Sequence, residues 1–187
     1  MAPDALVSAL SLPRALLALP NRYDSLASVA AARKAVTLRP HDALAWEALG
    51  SFYLGVGELE AAEATFLDAI SAASGSPGLR YSLARVYQRK EHWEECLSFA
   101  REAFRMAPGF GMAHHAAGEC LAAMGDASEA LENFRDAAGF EPDVEEHHRS
   151  LLRAEAEAGN ALAQPCKAAR ENHNKVDWGP ECAHDEL

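Results

Sequence analysis

The 187-residue sequence predicts an all-α protein built of stacked helix hairpins, and three observations carry that prediction. The chain holds 40 Ala against 7 Val, 1 Ile and 2 Thr, so strong helix formers are abundant and sheet formers are scarce. Apolar residues make up 49% and charged residues 24%, enough to bury a core and too apolar for a disordered chain. Small and large apolar residues also recur at a fixed offset of 34 residues, the sign of units that bury their faces by stacking on one another.

The period is read directly. Leu49-Gly50-x-x-Tyr53 aligns with Leu83-Ala84-x-x-Tyr87 and with Ala117-Gly118-x-x-Leu121. Ala62, Cys96 and Ala130 follow in register, then Phe66, Ala100 and Phe134, then Ala69, Ala103 and Ala137, and last Ser74, Pro108 and Pro142. Three units result, 43–76, 77–110 and 111–144, each a pair of helices. Small residues at Gly50 and Ala62, Ala84 and Cys96, and Gly118 and Ala130 let the two helices of a pair approach closely, so Cys96 reads as a packing residue. Gly57 and Gly125 suit the turn within a pair, and Pro108 and Pro142 stop the second helix.

This pattern resembles the tetratricopeptide repeat. The 43–76 unit carries the family's Trp46, Leu49, Gly50, Tyr53, Gly57, Ala62, Phe66 and Ala69, and the 111–144 unit keeps Gly118, Gly125, Ala130, Phe134, Ala137 and Pro142. The resemblance implies a short right-handed superhelix with a concave inner face. It is strong over 43–144 and weaker on either side. Behind a short segment 1–8, a degenerate unit at 9–42 places Ser28, Ala32, Ala35 and Pro40 in register, predicting a second helix over about 25–38. Pro13 and Pro20 predict a short or broken first helix there. Forward, 145–158 is expected to form an amphipathic cap, with Gly159 at the turn position and Pro165 near the first turn of a second helix. The remainder of 159–187 is expected to be irregular or partly helical, losing helical periodicity from about 172.

Charge and motif content narrow the function. The net charge of −11 argues against a nonspecific nucleic-acid binder. The longest apolar stretch, Leu6 to Leu19, is interrupted by Pro13 and Arg14, and it makes neither a membrane span nor a convincing signal peptide. No phosphate-cradling loop, nucleophile elbow or acid–base pair is present, so a non-enzymatic protein without cofactor or metal is expected. His114, His115, Cys120, His147 and His148, with Cys166, His173, Cys182 and His184 of the tail, have ligand chemistry but no trusted zinc spacing. A metal-binding or redox-responsive tail is the alternative. The last four residues, His184-Asp185-Glu186-Leu187, match an endoplasmic-reticulum retrieval signal. That reading would make the protein a luminal folding accessory and allow a Cys166–Cys182 disulfide. Without a credible leader, a cytoplasmic location is expected instead.

In the family, the first helix of each pair lines the concave face. Carried over, its inward positions give Glu47, then Tyr81, Arg85, Gln88 and Arg89, then His115 and Glu119, and finally Arg149 and Arg153 on the cap. Leu44, Ser51, Leu54, Met112 and Ala122 share those positions. Guanidinium groups so spaced suit carboxylates or phosphates. The Lys and Asn pattern with which chaperone-binding members hold a C-terminal carboxylate is absent: its places are Glu47, Tyr81 and His115, and Ser51, Arg85 and Glu119. The expected function is an interaction scaffold or adaptor that holds a partner peptide or helix in the groove, or a subunit of a larger assembly. Unit charges run +3 for 9–42, −5 for 43–76, +2 for 77–110 and −6 for 111–144, a pattern that favours stacking of neighbours or marks separate docking patches.

Overall fold

Alanine and glycine at helix contacts let helices lie close, and among the described residues eight helices stack one after another. The structure is a computed structural model that describes the backbone of residues 22–171 and the side chains of 27–159. In order they are α1 (Arg22–Leu38), α2 (Ala43–Gly55), α3 (Leu59–Ala72), α4 (Pro77–Arg89), α5 (Trp93–Met106), α6 (Gly111–Met124), α7 (Ala127–Phe140) and α8 (Glu145–Glu171). Helices α2 and α3, α4 and α5, and α6 and α7 form the three expected pairs, each packed on the next. The second helix foreseen near 25–38 is α1; its expected first-helix partner lies outside the described residues.

The glycine of the register lies against an aromatic ring rather than against the small residue of the second helix. A Cβ on Gly118 would stand 2.7 Å from Phe134 Cε1, and one on Gly50 would overlap the ring of Phe66. Phe66 and Phe134 are almost fully buried, so neither ring has room to retreat. Each turn within a pair needs one residue in the left-handed region, supplied by Gly57 (φ 81°), Glu91 (φ 59°) and Gly125 (φ 87°). Gly159 occupies the same register position yet sits inside α8. The cap therefore runs unbroken to Glu171, past the expected end at 158, and Pro165 does not begin a separate second helix.

The links between units share a bond that sequence alone did not reveal. Trp46 Nε1 donates to Pro40 O at 2.8 Å, and an Arg80 guanidinium nitrogen donates to Ser74 O at 2.6 Å. His114 Nε2 lies 3.0 Å from Pro108 O and His148 Nε2 lies 2.8 Å from Pro142 O. A carbonyl only accepts, so both imidazoles carry hydrogen on Nε2. The donor is always the fourth residue of a unit and the acceptor lies six residues earlier. His148 thus places the start of α8 in the register of a further unit.

Opposite charges of neighbouring units meet across their seams. Lys90 lies 2.6 Å from Glu63 and 3.8 Å from Glu60, and Arg101 pairs with Glu129. Tyr87 donates to Glu63 as well, at 2.8 Å. The bonds from Lys90 and Tyr87 hold the Glu63 carboxyl below its usual range, while burial and that same bond push the Tyr87 phenol up to about 12. The alternating unit charges thus bring opposite charges together at two seams. Cys96 is fully buried, as its small register position implies, and beyond packing it is disulfide-bonded to Cys120 on α6. The tail residues His173, Cys182 and His184, the side chain of Cys166 and the terminal four residues lie outside the described region.

Candidate functional site

The first helices of the pairs line one face, and between α4, α6 and the start of α8 that face hollows into an open cavity of about 510 Å³. Tyr81, Arg85 and Gln88 enter it from α4, Met112, His115, Ala116 and Glu119 from α6, and Val144, Glu146 and His147 from the α8 end. Helical spacing explains the set: residues three and four apart share a face, so 81, 85 and 88 line up, as do 112, 115, 116 and 119.

The walls are held in place from behind. Tyr81 packs edge-on against Phe110, with ring centroids 5.3 Å apart, and the Arg85 guanidinium lies 5.9 Å from the Tyr81 ring centroid. Burial raises the Tyr81 phenol above its ordinary value, and the carboxylates of Glu119 and Glu141 add to that against the opposing Arg85. Gln88 Nε2 donates to Glu119 Oε2 at 2.7 Å, tying α4 to α6 across the cavity. His115 stacks on His147 with centroids 4.9 Å apart and lies 2.9 Å from Ser150 Oγ through Nε2. Burial holds His115 below its ordinary value, with Glu119 opposing, so its ring is neutral at pH 7. His147 is buried, and among the described residues its Nδ1 has no hydrogen-bond partner.

Five of the nine residues expected in the groove meet here: Tyr81, Arg85, Gln88, His115 and Glu119. The other four lie elsewhere. Glu47 sits half-buried on α2 near Gly78, its carboxyl raised by burial and partly lowered by a bond from Ser76. Arg89 is exposed at the end of α4, outside the cavity lining. Arg149 is drawn into ion pairs with Glu145 (2.8 Å) and Glu146 on its own helix. Arg153 is exposed beside the rim, close enough for its charge to act on His115. Ala116, Val144, Glu146 and His147 escaped the groove reading. Glu146 was within reach, because it holds the same inward position as Met112; nothing in the register marks His147.

Among the described residues no three His, Cys, Asp or Glu side chains gather in a way that would hold a metal ion. No described helix is long and apolar enough to cross a membrane.

Comparison with known proteins agrees with this architecture. The sequence profile of the tetratricopeptide repeat matches residues 43–75. No curated protein sequence matches the chain. Among solved structures, the crystal structure of MamA superposes with a TM-score of 0.62 at 15% identity, covering 85% of this chain and 86% of that one. The second repeat domain of human RPAP3, solved with an HSP70 peptide, gives 0.57 at 19% identity over 60% of this chain and 94% of that one. The TPR2B domain of yeast Sti1, in complex with pHsp70, gives 0.58 at 16% identity over 62% and 97%. At such identities the likeness establishes a shared fold.

Proposed function

We propose, for a chain that is a tetratricopeptide-repeat protein by its fold and by the repeat at 43–75, that it is a non-enzymatic interaction scaffold holding a segment of a partner protein in the concave cavity. One observation carries this reading. The cavity brings together apolar surface from Met112, Ala116 and Val144, an aromatic wall from Tyr81, and polar groups from Arg85, Gln88 and Glu119. A mostly apolar hollow with a few convergent polar groups is the common form of a recognition site. That one similar domain is in complex with an HSP70 peptide and another with pHsp70 supports a peptide-sized guest. The Lys and Asn pattern of the family's chaperone-binding members is missing here, so the guest is expected to differ.

The α8 end favours a second contact. Leu152 holds the register position at which Gly50 and Gly118 are covered by a phenylalanine, and it is 66% exposed. A neighbouring subunit seated there would make the protein a component of a larger assembly.

A photo-cross-linking side chain at Met112 in the source cell tests the groove, with Met124, exposed in a different hollow, as control. The partner is expected to cross-link through Met112 and not through Met124. The reverse result would move the contact off the concave face.

A further inference from the structure

Three charges share one register row, two of them lining the cavity and the third, Arg153, beside its rim. Arg85 on α4, Glu119 on α6 and Arg153 on α8 each hold the ninth place of their unit. Among the described residues Arg85 and Arg153 have no carboxylate within ion-pair reach, Arg85 meeting only the Tyr81 ring. Glu119 accepts from the neutral amide of Gln88 and among the described residues has no Lys or Arg partner. Its nearest imidazole, His115 at 3.8 Å, is neutral at pH 7, so the Glu119 charge is not cancelled. By contrast, Arg149 is bridged by Glu145 and Glu146 of its own helix, a group that keeps one carboxylate charge in excess. From α4 to α8 the charges at the ninth places therefore run plus, minus, plus.

Spacing converts this order into a ligand pattern. Helices α4 and α6 pack directly, and His115 joins α6 to α8 through His147 and Ser150. Packed helices lie about 8–10 Å apart, and an extended chain advances about 3.3 Å per residue. One step of the row spans about three residues of an extended guest.

We propose that the groove takes an extended peptide whose charges run acidic, basic, acidic at three-residue intervals, with Arg85 and Arg153 holding its carboxylates and Glu119 its cation. The inference rests on the groove reading above and names the chemistry of its guest. Opposed charges in this order fix register and polarity as well as affinity, since a slip of one step sets like charges against each other.

Three labelled peptides with blocked termini and identical apolar spacers make the test, read by fluorescence anisotropy on the full chain. They carry Asp, Lys, Asp; Lys, Asp, Lys; or three Asp at three-residue intervals. The first is expected to bind about tenfold more tightly than the second and more tightly than the third. The triple variant Arg85→Glu, Glu119→Lys, Arg153→Glu, checked for helix content, is expected to favour the Lys, Asp, Lys peptide. Equal or tighter binding of the all-Asp peptide, an unchanged preference in the variant, or failure of all three to bind would overturn the proposal. Cross-linking at Met112 alongside such a failure leaves the groove reading intact, whereas its absence removes both.

Discussion

In the first and third helix pairs a glycine lies under a phenylalanine ring, Gly50 under Phe66 and Gly118 under Phe134. The middle pair fills the same two places with Ala84 and Ala100, and makes its turn with Glu91 at φ 59° where its neighbours use glycine. The outer pairs divide volume between nothing and a large ring, while the middle pair divides it between two methyl groups. The middle pair also owns the disulfide that binds it to the third pair and supplies Tyr81, Arg85 and Gln88 to the cavity. The same register contact is thus filled unequally, by two methyl groups in the middle pair and by a phenyl ring over a bare glycine in the outer ones.

The sharpest way to break this comparison is to overfill an outer pair. Gly118→Leu is expected to cost about 3 kcal/mol, because Phe134 is nearly fully buried and cannot move aside. Chemical denaturation measures it, and the loss should exceed that of Ala84→Leu, where no ring stands opposite. The next largest effect is Ala100→Phe, expected to destabilise by about 2 kcal/mol alone and by less when Ala84→Gly opens room for the ring. Independent costs for the two changes would show that Ala84 and Ala100 do not share one contact.

A smaller effect of opposite sign is expected at the turn. Glu91→Gly should stabilise by about 1 kcal/mol in thermal melts, since a left-handed backbone costs a side-chain-bearing residue about that much. The gentlest effect is on pH dependence. His115 is held below its ordinary value, so between that depressed value and about 6.5 the unfolded chain binds the proton more readily. The stability that His115 permits is complete above about pH 6.5 and falls as acid is added through that window. His115→Gln should flatten this part of the stability profile.

Much of this is legible in the amino-acid sequence. The 34-residue register located six helices, their turns at Gly57 and Gly125, and five of the residues that meet in the cavity. Periodicity reports which face a residue occupies, so Tyr81, Arg85, Gln88, His115 and Glu119 could be placed together. It does not report how a long side chain folds back, and Arg149 therefore went to the groove when its own helix holds it. The repeated bond from the fourth residue to a carbonyl was hidden because Trp46, Arg80, His114 and His148 share a donor and nothing else. The Cys96–Cys120 bond joins different register positions of different units, which no repeat alignment brings side by side.

The most direct test of the central claim, that the cavity holds the partner, is co-purification of the tagged chain from its source cells in three forms. These are the native protein, a Tyr81→Ala, Met112→Asp variant with unchanged helix content, and a chain truncated after residue 171. The partner is expected to stay with the truncated chain and to be lost from the cavity variant. A partner that stays with the cavity variant and leaves with the tail would contradict the account.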